Sequence, residues 1–487
     1  MSFVSDSFQY FLPAFFVFWL LIRRSERWCV AFMLAGSLVF YAYNQWWTIS
    51  IILAYCFIGW SIGLLLARVR RRRAVLMLGL GFNIGVLAFW KYAPFAVTGV
   101  AASIGVQLPP ALPIESWVVP LGISFFSLSG ISYMVDVYNG SFKPEPNFWR
   151  YSLFIAFFPH LVAGPILRAR EFLVRLRPGE LPIRPIAEWE GTFLIARGYF
   201  KKMVLADTIA ETIDPFFANV ANPTTDGIWS LPYLYLYSFQ IYFDFSGYTD
   251  IARGLGLWFG FRWPDNFNWP YFATSIKEFW RRWHMTLSRF LRDYLYIPLG
   301  GNRKGPFRTA INLMITMLLG GIWHGAGWSF TLWGLLHGVY LLVNHCWQAL
   351  PLQARLKRLH GGAAYAYTAF SVVVTFHAVC FAWCFFRLTD FDDALACVRK
   401  LAVFDPDKAL AGGAADFKLW LLLAAYAIAT AAAVVISRGA PVSSVGQQLR
   451  SLPMLRGFYW GIAFGMLVLA LTLAPGSQNS PFIYFRF

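Results

Sequence analysis

Charge is what this 487-residue sequence has least of: 13% of its residues are charged, against 58% hydrophobic and 19% aromatic. That balance excludes a water-soluble globular protein, which would have too little polar surface, and indicates a polytopic membrane protein. Acidic residues are the scarcer sign, 24 against 41 basic, for a formal charge of +17. The basic excess does not imply a nucleic-acid partner, because it gathers in short segments between apolar runs. Cysteine is sparse, six in all, with no Cys-x-x-Cys pair, which argues against both a metal centre and a disulfide framework. Those within apolar runs, Cys380 and Cys384 on one helix face among them, read as small hydrophobes. No histidine and carboxylate set has metal-ligand spacing, so no metal is expected. A nucleotide-binding glycine loop, a low-complexity tract and an internal repeat are likewise missing. Residues 1–487 therefore read as a single membrane domain without a soluble appendage.

What is present is a series of apolar runs: Phe8–Ile22, Cys29–Tyr43, Trp46–Ala67, Ala74–Trp90, Trp117–Val135, Leu231–Phe245, Ile311–Trp323, Trp328–Val343, Ala363–Phe386, Leu419–Ile436 and Gly457–Leu473. A full span needs about 20 residues, so these predict roughly ten to twelve crossings, some broken or re-entrant. The first run lacks a small-residue cleavage pattern and reads as a retained helix. The basic segments Arg23–Arg27, Arg68–Arg73, Arg168–Arg177 and Gly300–Arg308 are expected to face the cytoplasm, with the amino terminus outside.

Two histidine segments stand out. In "EFWRRWHMTLSRFLRDYLYIPLGGNRKG" (Glu278–Gly305), a helix over Glu278–Leu295 would gather Glu278, Arg281, Arg282, Arg289, Arg292 and Asp293 within an arc of about 120°. Phe279, Trp280, Trp283, Leu287, Phe290, Leu291 and Tyr294 would take the opposite side, as in an interfacial helix. Glu278–Arg282 and Arg289–Asp293 have the i,i+4 spacing of helical ion pairs. The arginines suit membrane anchoring and phosphate binding equally well. His284 falls on the apolar side, where it either locks the helix to its neighbours or serves the site directly.

His324 lies in "LLGGIWHGAGW" among Gly320, Gly321, Gly325 and Gly327. Glycines there permit close approach of another backbone or a substrate. A neutral imidazole at hydrocarbon depth suits a general base. His160 and His337 could line the same cavity but read better as core residues, and His345, His360 and His377 carry no motif. The polar stretch "FDFSGYTDIARGLGLWFGFRWPDNFNWPY" (Phe243–Tyr271) offers Asp244, Asp250, Arg253, Asp265 and Asn266 as scaffold or tunnel lining. Ser246 has no triad partners in a recognisable order and is a weak nucleophile candidate.

Together these blocks, with "VPLGISFFSLSGISYMVDVYNG" (Val119–Gly140), "FFPHLVAGPILR" (Phe157–Arg168) and "SPFIYFRF" (Ser480–Phe487), resemble the membrane-bound O-acyltransferases, in their bacterial alginate O-acetyltransferase branch. The resemblance implies an all-α integral membrane fold of roughly eleven transmembrane helices with re-entrant and interfacial segments. It implies a catalytic role for His324 and a second important position at His284, which makes both catalytic candidates; Arg281, Arg282, Trp280 and Trp323 are expected around the acyl donor. His284 is expected at the cytoplasmic mouth and His324 deeper. No permanently bound cofactor is implied; acetyl-CoA or an acyl carrier is the donor. An extracytoplasmic SGNH-type partner would pass the acetyl group to an exopolysaccharide such as alginate or cellulose, from a multi-pass protein of the bacterial inner membrane. Gly327, Arg253 and Arg486 depart from the family pattern, where asparagine, an apolar residue and glutamine are common. D-alanyl transfer, peptidoglycan acylation and a non-catalytic glycan transporter are the alternative functions.

Overall fold

A computed structural model describes residues 1–43, 45–103, 117, 119–162, 164–176, 188–222, 230–402, 461, 464–470, 472 and 482–483. Regular structure among the described residues is helical throughout. The runs Leu419–Ile436 and, for the most part, Gly457–Leu473 lie outside them, as does Arg486.

Helix α1 (Asp6–Ile22) starts where the Ser5 hydroxyl accepts the Phe8 N–H, and buries Phe8, Leu12, Phe15 and Trp19 on one face at helical spacing. It packs on α2 (Glu26–Ala42). Next come α3 (Thr48–Arg68) and α4 (Arg72–Ser103), separated at the basic segment. Helix α5 (Ile123–Tyr138) lies against both and follows Gly122, whose φ of 72° and contact with the Leu161 carbonyl leave no room for a side chain. Short helices α6 (Phe148–Ala156), α7 (Phe158–Leu161) and α8 (Ala169–Phe172) complete the first half.

Helix α9 (Glu188–Tyr199) passes through a π-helical turn at Phe200–Ala206 into α10 (Asp207–Ala218). It packs along α11 (Ser230–Trp258), where Gly198 opposes Gly247 and Gly191 opposes Gly254, so the two backbones approach closely. Then follow α12 (Ile276–Arg282), α13 (Met285–Leu291), α14 (Gly305–His324), α15 (Trp328–Ala349), α16 (Pro351–Leu356), α17 (Gly361–Arg387) and α18 (Phe391–Ala402).

Among the described residues, three helical stretches are long and apolar enough to cross a membrane: Thr48–Arg68, Arg72–Gly99 and Gly361–Arg387. Helix α14 carries polar residues but turns them inward. Thr309, Asn312 and Thr316 are buried, and the Asn312 amide donates to the Gly301 carbonyl at 2.8 Å. Such satisfaction within the protein is what hydrocarbon demands.

Among the described residues, buried apolar side chains form two clusters. One joins α1 to α8 with Leu287, Phe290, Leu291 and Trp323. The other joins α10 to α12 with α15 and α17 through Trp280, Trp283, Trp333, Trp383 and Phe386. The chain crosses from the second cluster to the first at His284, between Trp283 and Leu287. His324 follows Trp323 of the first cluster, and its ring meets Trp333 and Phe386 of the second. Both histidines therefore stand at the seam.

Candidate active site

The helix expected over Glu278–Leu295 is two helices with a break at His284. Helix α12 starts well: the Ser275 hydroxyl accepts the Glu278 N–H, and the Glu278 carboxylate accepts the Thr274 N–H and hydroxyl at 2.8 and 2.7 Å. Seven residues later Trp283 is extended, and His284 sits in the left-handed region at φ 39°, ψ 54°. A non-glycine residue is uncommon there, and such strain persists only where its surroundings enforce it.

The enforcing segment is the loop before α12. The Asn268 N–H donates to the Arg282 carbonyl, and the Met285 N–H to the Asn266 carbonyl, each at 2.9 Å. The Asn266 side-chain oxygen accepts from Thr286 N–H at 3.1 Å, Thr286 Oγ1 at 2.9 Å and His284 Nδ1 at 3.1 Å. An amide oxygen only accepts, so the proton of the neutral imidazole is on Nδ1 and the basic nitrogen is Nε2. A helical wheel assumes an unbroken ladder; here the loop supplies the hydrogen bonds that the ladder gives up.

The break also sets the surroundings of His284. Its ring is fully buried, edge-on to Phe245 at 4.7 Å and 6.4 Å from Trp323 between ring centroids. His324 is 4.8 Å from the same Trp323, 5.0 Å from Trp333 and 5.1 Å from Phe386. The two imidazoles thus approach one indole, whose Nε1–H donates to the Ser124 carbonyl at 3.3 Å.

Helix α14 runs unbroken through Gly320 and Gly321 and ends at His324, with Gly325 extended. The glycines admit a backbone: a Cβ on Gly321 would lie 2.9 Å from Gly334 Cα of α15. Gly327, one of the departures from the family pattern, caps α15. Arg253, another, pairs with Asp265 at 2.6 Å, next to Asn266.

The arginines divide by partner. Arg282 is held by Glu278 at 2.6 Å, as its spacing suggested. Burial alone would raise the Glu278 carboxyl, but bonds from Thr274 and the Arg282 guanidinium outweigh it and hold the group below its ordinary value. Arg289 pairs with Glu171 at 2.9 Å, not with Asp293, which Arg292 and Arg168 claim. Arg281 is exposed and has no ion-pair partner among the described residues. Trp280 is buried against Trp333 and His337, which places it beside the ring that faces His324.

His337 is fully buried, 4.8 Å from Trp333, so it belongs to this aromatic wall and not to an unrelated core. His160 sits apart, among Phe157, Phe172 and Trp263. Sequence reasoning offered Asn266 only as scaffold or tunnel lining and did not link it to His284, although an asparagine in "PDNFNWP" between two helices is a turn-former by type. It also passed over Lys201 and Lys202. Lys202 lies between Asp207 at 2.7 Å and Asp244 at 2.8 Å, all three buried, and Asp250 is held by Arg197 and Lys201. Asp244 also accepts the Ile483 N–H at 2.8 Å. Phe482 then packs on Tyr248 and Phe245, so the carboxyl-terminal motif reaches the wall behind His284.

Comparison with known proteins bears on this arrangement. The family model for the membrane-bound O-acyltransferase family matches residues 139–386, a range that contains both histidines. The Pseudomonas aeruginosa protein named "Probable alginate O-acetylase AlgI" is 40% identical over 398 residues, 80% of this chain and 72% of its own. A peptidoglycan O-acetyltransferase of Helicobacter pylori is 33% identical over 427 residues, covering 80% and 77%. A teichoic acid D-alanyltransferase of Bacillus subtilis is 30% identical over 289 residues, covering 57% and 71%.

Proposed function

Since the chain belongs to the membrane-bound O-acyltransferase family and is an acyltransferase in a membrane, we propose that it transfers acetyl groups from acetyl-CoA towards an extracytoplasmic exopolysaccharide. The alginate-linked relatives favour a uronate polymer over D-alanyl or peptidoglycan acylation, and a transporter does not account for an acyltransferase family. The location is the bacterial inner membrane. Residues 1–487 form one domain of roughly eleven spans, counting re-entrant segments.

One observation carries the reading: an imidazole buried at the end of α14, sharing Trp323 with a second imidazole held at a strained break. His324 takes the proton of the acceptor hydroxyl as that oxygen attacks the thioester carbonyl. The C–O bond forms, the C–S bond breaks, and the proton passes from the imidazolium to the departing thiolate. His284, with Nδ1 tied to Asn266, approaches the same Trp323 with a fixed tautomer. Aromatic walls exclude water that would hydrolyse the thioester.

Topology supports a transmembrane relay. Arg72 and Gly305 open α4 and α14 at the two basic segments assigned to the cytoplasm. His324 is nineteen residues beyond Gly305, a rise of about 28 Å, close to the thickness of a hydrocarbon core. The acetyl group would accordingly leave towards the far side, to an SGNH-type partner.

The test is direct: purified protein in nanodiscs, labelled acetyl-CoA, and the partner with its glycan. Label should reach the glycan only when both proteins are present; free acetate alone, or label unmoved, would sink the relay. Arg281 gives a second expectation. Having no ion-pair partner among the described residues, it is an arginine available for donor phosphates, and Arg281→Gln should raise KM for acetyl-CoA about tenfold with kcat unchanged. Arg282→Gln should change KM far less. Equal KM values for the native protein and Arg281→Gln would remove the arginine from the donor site.

A further inference from the structure

Helix α4 carries a lysine far along an apolar stretch: Lys91 lies nineteen residues beyond Arg72, a rise of about 28 Å. A cation with no carboxylate partner among the described residues needs another use there. Its Nζ donates to the Trp323 carbonyl at 2.7 Å and to the His324 carbonyl, and its third direction points to Ser124 Oγ at 3.5 Å. It also lies 5.9 Å from the Trp323 ring centroid. The next residue, Tyr92, donates its hydroxyl to the Ile322 carbonyl.

These contacts answer a specific deficit. The last four carbonyls of a helix have no partner within it, and α14 ends at His324 because Gly325 is extended. Trp323 and His324 are buried, so bulk water does not complete the cap. Two adjacent residues of α4 complete it instead, across three consecutive carbonyls that end at His324 itself. An ammonium has three donors, and all three here are directed at protein oxygens, so Lys91 has none to offer a substrate phosphate. Nor does it extend to a headgroup, as a lysine at a helix end would.

We propose that Lys91 is a positioning residue for acyl transfer: it fixes the backbone of His324, and the indole of Trp323 beside it, so that the imidazole meets the thioester in reactive geometry. The proposal rests on His324 being the base. Displacing a catalytic ring by an ångström costs about a hundredfold in rate, without necessarily weakening donor binding.

The test uses native protein and the variants Lys91→Met, Lys91→Gln, Tyr92→Phe and His324→Ala in nanodiscs, with initial rates against acetyl-CoA concentration and a thermal melt of each. Lys91→Met should lower kcat about a hundredfold, with KM and the folded fraction almost unchanged. Lys91→Gln, whose amide can still donate to these carbonyls, should regain about a tenth of the native rate. Tyr92→Phe, which frees a carbonyl two residues away, should cost about fivefold or less. A native-like kcat in Lys91→Met, a rate loss that only follows loss of folded protein, or equal losses in Lys91→Met and Tyr92→Phe would each overturn the proposal. Should Lys91→Met not accumulate, Lys91→Gln is compared with Tyr92→Phe: a slower Lys91→Gln supports positioning, and an equal or faster one overturns it. Activity in His324→Ala would overturn the base assignment itself, whatever Lys91 does.

Discussion

Replacing His324 by glutamine should lower kcat for acyl transfer by about 10²–10⁴-fold, while the protein still inserts and accumulates. Glutamine keeps hydrogen-bonding capacity and roughly the volume of the ring, but its amide cannot take up a proton at neutral pH. The site around it is aromatic on three sides, Trp323, Trp333 and Phe386. His284→Gln should fall by a comparable factor, because the two rings approach the same indole at the seam of the two apolar clusters. The measurement is turnover of acetyl-CoA with each purified variant, beside its melting curve. Turnover of His324→Gln within a few-fold of native would falsify the catalytic assignment. A nearly native His284→Gln would instead restrict that residue to holding the break.

The second large effect is on stability. Lys202→Met should destabilise the protein by about 3–5 kcal/mol, because it leaves the buried Asp207 and Asp244 carboxylates facing each other without their shared cation. The damage should spread to the carboxyl terminus, since Asp244 also holds the Ile483 N–H. An exposed pair provides the contrast: Arg262, 41% accessible and bonded to Glu190, should cost about 0–1 kcal/mol on replacement by alanine. Thermal unfolding in detergent and cleavage of the last residues by a carboxypeptidase report the two effects. Equal melting temperatures for Lys202→Met and native protein would mean that the network contributes nothing net to the fold.

The two predictions draw on different layers of information. His324 was legible because its signal is local: an ionisable ring in an apolar run, with glycines on either side. The membrane class, the helical fold and the Glu278–Arg282 pair were legible for the same reason, each being set by composition or by spacing within one turn. The seam was not. Whether Leu287 and Trp283 belong to one cluster or two depends on which distant helices pack on each, with α11 itself contributing Tyr242 and Phe243 to one and Phe245 and Tyr248 to the other, and no window of sequence shows that.

The sequence by itself therefore determined a helical membrane acyltransferase with His324 and His284 as its candidate pair, since apolar length, charge placement and motif are properties of contiguous residues. Only the tertiary structure decided that His284 sits at a break and not on a continuous helix. The hydrogen bonds that make the break tolerable come from Asn266 and Asn268, residues outside the helix they interrupt. Tertiary structure likewise decided that Lys91 and Tyr92 close the end of α14, 230 or more residues away in the chain. The physical reason is common to both. In hydrocarbon every interrupted backbone must find its partners in protein, and where those partners come from is settled by packing, not by the residues on either side of the interruption.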